Sequence, residues 1–536
     1  MTGVELNGGI VGPINTPTGG PTGQASGIWT LGEIYEHEHD DLWPVPFDGF
    51  IAQFEPNFPS STAVYARAVD LDSNGDLFVA FDTYTNTYGA YYDAGFAKIN
   101  TTAKTLTDTR KFLIDGSYSS ANTLISNLTV DTANSDDIYI SGYHSSSAVT
   151  PGAYSVKLNS SYAEQWFGIN SSDEFWRRGA TSQATYTNYP SSHRLSPNGS
   201  YFYHGAYGLN TGYDGMIVPA PPSTGVRSGA NNLTDYANPS NMGFYLFALG
   251  MNNSNVAWLG RTYHLSYGGY HCTVLKVYNG GSTASAVGLR IDFNGGSYSG
   301  GSYMTNAHCG ELYNTATNLD RYPYMGIVQG GTGSGTAYFF RWNHASGWNT
   351  FDQGYRFAVN AADSPANPTA MSQLFGITFS ADDSTCYATF SDNGGTPGQQ
   401  YLVSFDPHTS STTVNWQRKI LVYKTGEAMP GSQQNCSFSN LKLDSAGEFL
   451  YFAGHISSSG NAQNKMLVFK LPADGSGTGT FTAGDYTIVY GASNMTGTQG
   501  DLVGSTTGNT FTSAYPSENG TKARTQTAVT GTLTIG

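Results

Sequence analysis

Short runs of alternating apolar and polar residues, each closed by Gly, Asn, Asp or Ser, recur along this chain. The clearest is Leu441-Lys-Leu-Asp-Ser-Ala-Gly-Glu-Phe-Leu-Tyr-Phe-Ala-Gly-His455. Two β-like runs flank a Ser-Ala-Gly turn in which Gly447 supplies a positive φ, so the stretch predicts a tight hairpin. The same pattern stands at residues 69–81, 128–142, 193–205 and 377–390. The apolar residues just before the turns are Leu71, Val130, Leu195, Phe379 and Leu443, spaced 59, 65, 184 and 64 apart. The long gap is close to three periods. It predicts two degenerate copies, one at Leu246 to Trp258 and one at Cys309 to Val328, for seven in all.

Each hairpin is followed by a third strand-like run (94–99, 153–158, 273–277, 337–341, 400–405, 465–471). A fourth follows in turn (109–114, 164–167, 287–291, 355–359, 415–422, 486–490). Four strands in about 60 residues, seven times over, predict an all-β fold, a seven-bladed β-propeller of four-stranded blades. Such a blade cannot bury its own faces, so blades pack on their neighbours around a channel, with the strand before each turn innermost. The competing expectation is a string of β-sandwiches, which need about 100 residues per unit. The expected organisation is an N-terminal arm over 1–61, the propeller over 62–490 and a β-rich C-terminal extension over 491–536. Ring closure is expected between the blades near 62–115 and 436–490. The extension, ending in Ala528-Val-Thr-Gly-Thr-Leu-Thr-Ile535, is expected to dock on the propeller or on another protein.

Composition agrees with many short strands. The chain of 536 residues has 66 Gly, 37 Tyr and 28 Phe, with only 12% charged residues, and no run with the 3.6 period of a long amphipathic helix. A formal net charge of −15 excludes a nucleic-acid backbone as the expected partner. Cys272, Cys309, Cys386 and Cys436 lie far apart without a C-x-x-C pair, so they are expected as isolated, mostly buried thiols. The start, Met-Thr-Gly-Val-Glu-Leu-Asn-Gly-Gly, has neither a basic nor an apolar signal region, and no window reaches 18 apolar residues. Synthesis in a cytoplasm, release by lysis and no membrane insertion are the corresponding expectations.

Catalytic motifs are weak. Asp70-Leu-Asp72-Ser-Asn-Gly-Asp76 mimics the start of a calcium loop, but Phe81 stands where the twelfth-position carboxylate belongs, so a turn is expected. Asn306-Ala-His308-Cys309-Gly resembles a protease histidine segment without the serine motif that the chemistry needs. His37, His39 and Asp41 are weak metal candidates, since two His at i, i+2 lack a distant ligand; no cofactor is expected. Tyr84, Tyr88, Tyr91, Tyr92, Tyr267 and Tyr270 fall in predicted loops, where they suit stacking on sugar rings or packing against loops and neighbouring subunits. No enzymatic activity is expected.

Near the N-terminus, Gly27-Ile28-Trp29-Thr30-Leu31, then Ile34-Tyr35-Glu36, then Leu42-Trp43-Pro44 resembles a short segment of virion proteins from marine tailed bacteriophages, especially those infecting cyanobacteria. The sequence departs from that form at Gly32 and in the acidic His-containing stretch that follows. The phrase Asn415-Trp-Gln-Arg-Lys419 is similar to an outer-strand phrase of propeller repeats in phage and bacterial surface proteins. The resemblance implies a non-enzymatic virion component, multimeric in the particle. Its tail- or fibre-associated form contacts a host surface glycan or receptor; the alternatives are a capsid decoration or knob protein, and a carbohydrate-binding or glycan-cleaving propeller. Ile28, Trp29, Leu31, Ile34, Tyr35, Leu42, Trp43 and Pro44 are the implied contacts to other virion proteins, because aromatic anchors dominate such attachments.

Overall fold

The computed structural model describes residues 48–58, 61–85, 91–114, 122–146, 149–169, 192–195, 202–207, 215–220, 222–223, 231–233, 242–251, 255–264, 269–278, 288–292, 303–309, 324–330, 336–343, 350–358, 371–382, 384–392, 399–407, 414–428, 432–458, 461–493, 496–499, 503–507, 512–513 and 524–535. Among these residues every regular element is a strand. After β1 (Phe50–Pro56) come antiparallel meanders of four. The first is β2 to β5 (Ser61–Leu71, Leu77–Thr85, Tyr91–Asn100, Thr105–Ile114). The second is β6 to β9 (Asn122–Asp131, Asp137–Ser146, Val149–Leu158, Glu164–Ile169). The third is β10 to β13 (Ser192–Leu195, Phe202–Tyr207, Gly215–Ala220, Asn231–Leu233). The fourth is β14 to β17 (Met242–Met251, Asn255–His264, Gly269–Tyr278, Gly288–Asp292) and the fifth β18 to β21 (Tyr303–Cys309, Tyr324–Gly330, Thr336–Asn343, Thr350–Ala358). A twelve-stranded sheet holds the sixth, β22 to β25 (Met371–Phe379, Cys386–Asp392, Gln400–Phe405, Val414–Lys424), and a last run. That run contains β26 and β27 (Gln433–Phe438, Lys442–Leu443), β28 (Phe449–Ser458), β29 (Asn461–Pro472) and then β1.

The hairpin turns form as their residues require. Gly447 has φ 75° and Gly75 has φ 77°, conformations that an L side chain rarely adopts. Asp72 Oδ1 accepts from the amides of Asn74 and Asp76, and Asp444 Oδ1 from those of Glu448 and Phe449, so these aspartates build turns. Both degenerate copies are hairpins: β14 with β15, and β18 with β19, whose first strand starts at Tyr303, ahead of the predicted Cys309.

Strand alternation puts apolar side chains on both faces of each sheet. Leu77, Val79 and Phe81 of β3 pack with Phe50, Ala52 and Phe54 of β1 and with Met466 and Val468 of β29. The intervening Phe78 and Ala80 pack with Ile138, Ile140 and Val156 of the second meander. First strands touch in order, β2 with β6, β6 with β10, β10 with β14, β14 with β18 and β18 with β22. β22 meets β26 and β27, and these meet β2 again. Asn440 clasps that last contact: its Oδ1 accepts from Val69 N at 2.6 Å and its Nδ2 donates to Val69 O at 3.0 Å.

Two expectations are corrected. Phe50–Pro56, assigned above to the arm, is the fourth strand of the last run and pairs with β29 from Phe50↔Lys470 to Phe54↔Met466. Residues 486–490, expected in that place, lie in β31 (Tyr486–Ala492), which pairs with β25 of the sixth meander. The physical reason is burial: Phe50, Ile51, Ala52 and Phe54 are all at most 1% exposed, and an edge on β29 would leave Val468 and Phe469 uncovered.

The C-terminal extension continues from β31 along the outer edges of the meanders in reverse order. β32 (Thr496–Gln499) adds to β21, β33 (Val503–Thr507) to β17 and β34 (Thr512–Ser513) to β13. After these, β35 (Arg524–Ala528) adds to β5 and β36 (Gly531–Ile535) to β1. A separate strand, β30 (Gly479–Ala483), forms a hairpin with β31.

Candidate functional site

Five of the first strands share a local irregularity that redirects one residue in each. In β2 the ladder slips between Ala66 and Ala68, leaving Arg67 as the extra residue. Equivalent slips leave Ser126 in β6, Phe247 in β14, Thr305 in β18 and Phe375 in β22. A bulge of this kind bends the strand and redirects one side chain. Arg67 is the charged residue among the five.

Around Arg67 the first, second and last runs converge. Its Nε donates to Asp82 Oδ2 at 2.5 Å, and Asp82 Oδ1 accepts from Ile125 N at 2.7 Å, so the carboxylate joins two sheets. The guanidinium lies over the Tyr65 ring, 5.2 Å from its centroid. Tyr65 in turn meets His455 of β28 at 5.2 Å and Tyr92 of β4 at 5.9 Å, and Tyr92 meets Tyr84 at 5.1 Å. Tyr84 and Tyr92 are cross-strand partners, which explains their contact.

Burial sets the protonation states here. Asp82 is wholly buried, which raises its pKa to about 6 although Arg67 and the Ile125 amide pull it down. Burial, helped by the charge of Arg67, lowers His455 to about 3, so the ring is neutral at ordinary pH. Burial also raises the Tyr92 hydroxyl to about 12, with Tyr65 adding to the effect. The Arg67 side chain keeps 27% of its surface exposed, so the group is reachable from solvent.

A cavity of about 430 Å³ opens at the other end of the first strands, lined by Asp70, Asp72, Asp131, Lys442 and Asp444 among others. Its acids are engaged. Asp70 accepts from Val130 N and pairs with Lys442 at 3.1 Å, Asp72 pairs with Lys98 at 2.6 Å, and Asp444 holds its own turn. Among the described residues no group of three His, Cys, Asp or Glu is arranged to hold a metal ion. Cys386 and Cys436 are free and buried, and burial pushes both thiols up.

Of the sequence-derived candidates, Tyr84 and Tyr92 belong to the aromatic cluster, while Tyr91 and Tyr270 lie on β4 and β16. Tyr88, Tyr267, the segment from Ile28 to Pro44 and the trio His37, His39 and Asp41 lie outside the described residues. Sequence reasoning missed Tyr65, Arg67, Asp82 and His455. The signal for Arg67 was present: four residues before the anchors Leu71, Val130, Leu195, Phe379 and Leu443 stand Arg67, Ser126, Ser191, Phe375 and Ser439.

No protein-family model and no curated protein matches the chain. Among solved structures it is similar to Drosophila Semaphorin 1a extracellular domains 1–2, at 11% identity and a TM-score of 0.42, covering 79% of this chain and 88% of that one. It is similar to the polysaccharide lyase Uly1 at 8% identity and 0.40, covering 78% and 99%. It is likewise similar to the Dos1 propeller at 10% identity and 0.36, covering 78% and 95%.

Proposed function

We propose that the chain is a seven-bladed β-propeller acting as a non-enzymatic binding and display module of a tailed-phage particle, tail- or fibre-associated. The observation that carries the propeller is the circuit of first strands, which returns from β26 and β27 to β2, with β1 completing the last run. Fourth strands stacked outward from such a circuit give blades around a channel, the architecture that radial repetition favours. Strands β1 and β36, far apart in the sequence, pair in the same sheet, which supports reading the disc as a rigid platform. The N-terminal residues Ile28, Trp29, Leu31, Ile34, Tyr35, Leu42, Trp43 and Pro44 are the proposed attachment to other virion proteins, on the strength of the phage resemblance. A place on the head, as a decoration or knob, is the alternative location.

The chemistry around Arg67 favours recognition over catalysis. Hydrolysis of a glycosidic bond in most families uses two accessible carboxyl groups facing the bond. Asp82 is sealed, with both oxygens accepting, and His455 is too weak a base for proton transfer near neutrality. The aromatic cluster favours a surface that holds a ligand, and a host glycan is the second half of the proposal. Immunogold labelling of purified particles with antibodies to the full chain tests the reading. Label on the tail or fibres is expected; protein found only in the soluble fraction of the lysate, with bare particles, overturns it.

A further inference from the structure

We infer that Arg67, Tyr65, Tyr92 and His455 form a binding site for a carboxylated sugar, a uronate residue within a polysaccharide. The inference rests on the reading of the chain as a binding module and names the ligand class of that site.

Arg67 is placed for more than a structural ion pair. Only its Nε is spent on Asp82; among the described residues neither terminal nitrogen has a partner. A guanidinium offers its two terminal N–H groups as a planar fork, which matches the two oxygens of a carboxylate. The Tyr65 ring beneath holds that plane, and Asp82 fixes its edge, so little rotamer freedom is left to lose on binding. A pair serving the fold alone gains most by using two guanidinium nitrogens, and the other four bulge positions carry neutral residues.

The surroundings suit the rest of a sugar. Tyr65 and Tyr92 are half-buried aromatic residues beside the fork, of the kind against which the apolar side of a pyranose packs. His455, its Nδ1 buried, packs against Tyr65 at 5.2 Å between centroids and holds that ring in place under the fork. Asp82 lies on the Nε side of Arg67 and is held by the Ile125 amide, so the pair is close to neutral as a whole and the fork holds a carboxylate through its directed N–H groups. A neutral histidine and the unused terminal N–H groups of Arg67 thus suit one carboxylate on an otherwise hydroxyl-bearing ring.

Isothermal titration of the full chain with a galacturonate oligomer, its methyl-esterified neutral counterpart and a sulfated oligosaccharide of equal length tests this. The galacturonate oligomer is expected to bind and the ester not to. Arg67→Lys retains the charge beside Asp82 but loses the fork, and is expected to weaken binding about tenfold or more, as the loss of a charge-assisted bond predicts. His455→Gln, which keeps a polar group in place, is expected to weaken it by a smaller factor. Thermal melts of both variants separate lost affinity from lost folding. Equal binding of acid and ester, unaltered binding by a folded Arg67→Lys protein, or preference for the sulfated oligomer overturns the proposal. Each of these leaves particle labelling, and with it the display reading, untouched.

Discussion

Deleting residues 48–60 from the full chain removes β1, and the structure predicts a collapse of the last run rather than the loss of a dispensable arm. Three large side chains on that strand, Phe50, Ile51 and Phe54, are at most 1% exposed. Each contributes about 1.5–3 kcal/mol by burial, or about 5–9 kcal/mol together. Folded domains hold a net of only about 5–15 kcal/mol, so the deletion consumes most of it. It also bares the edge of β29 and unseats β36, since both pair with β1. A point version is Phe54→Ala, which empties the space against Phe81, now 5.5 Å away ring to ring, and costs about 3–5 kcal/mol. Thermal denaturation read by circular dichroism measures the loss. Labelling of the buried thiols of Cys386 and Cys436 reports the opening of the adjoining sheets. A deletion variant that melts like the parent and keeps both thiols protected would refute the assignment of β1.

Asn440→Ala breaks the double hydrogen bond to Val69 that ties the last run to the first, and a loss of about 1–3 kcal/mol in urea denaturation is expected. Gly142→Ala is expected to cost more than about 3 kcal/mol by the same measurement, because a Cβ there collides with the Leu124 carbonyl oxygen and with the Tyr154 hydroxyl. Asp82 and His455 impose opposite pH dependences. The folded pKa of Asp82 is raised to about 6, so its stabilising effect is fully present below about 3.8 and lost as pH rises through 6; relative to Asp82→Asn, wild-type stability falls by about 3 kcal/mol across that window. His455 is lowered to about 3, so the unfolded chain takes up its proton first and stability falls as pH drops below about 6.5; denaturation midpoints of His455→Gln are expected to lose that acid sensitivity.

Much of the strand pattern was legible because it is written locally. The Asp-Ser-Ala-Gly turn before Glu448 needs a positive φ at Gly447 whatever surrounds it, and the hydrophobic alternation of Leu77 to Phe81 needs two buried faces. The place of β1 was not legible, because its partner β29 lies more than 400 residues away and a period counted forward along the chain assigns the fourth strand to whatever comes next. Tyr486 to Tyr490 has the alternation of an outer strand, but alternation does not say which outer strand it joins. The candidate site was only half visible. Tyr84 and Tyr92 stood out as loop aromatics, whereas Arg67 and His455 meet through sheet-to-sheet packing that local pattern does not encode.

The extension after β31 connects these facts. Strands such as Thr496–Gln499 and Thr512–Ser513 carry almost no apolar residues and look like linker, yet they pair at sheet edges. An outermost strand needs little hydrophobicity, since its partner supplies a ladder of backbone groups and its outer side faces water. Exposed edges invite pairing with other chains. By laying its own C-terminal strands on β21, β17, β13, β5 and finally β1, the chain occupies those edges itself. The last of them, β36, seats Leu533 against the same core that holds Phe54 and Phe81. That core also packs Ala453 of β28, two residues before His455, beside the strand that carries Tyr65. The strap and the candidate site therefore depend on one joint, where the first sheet meets the last.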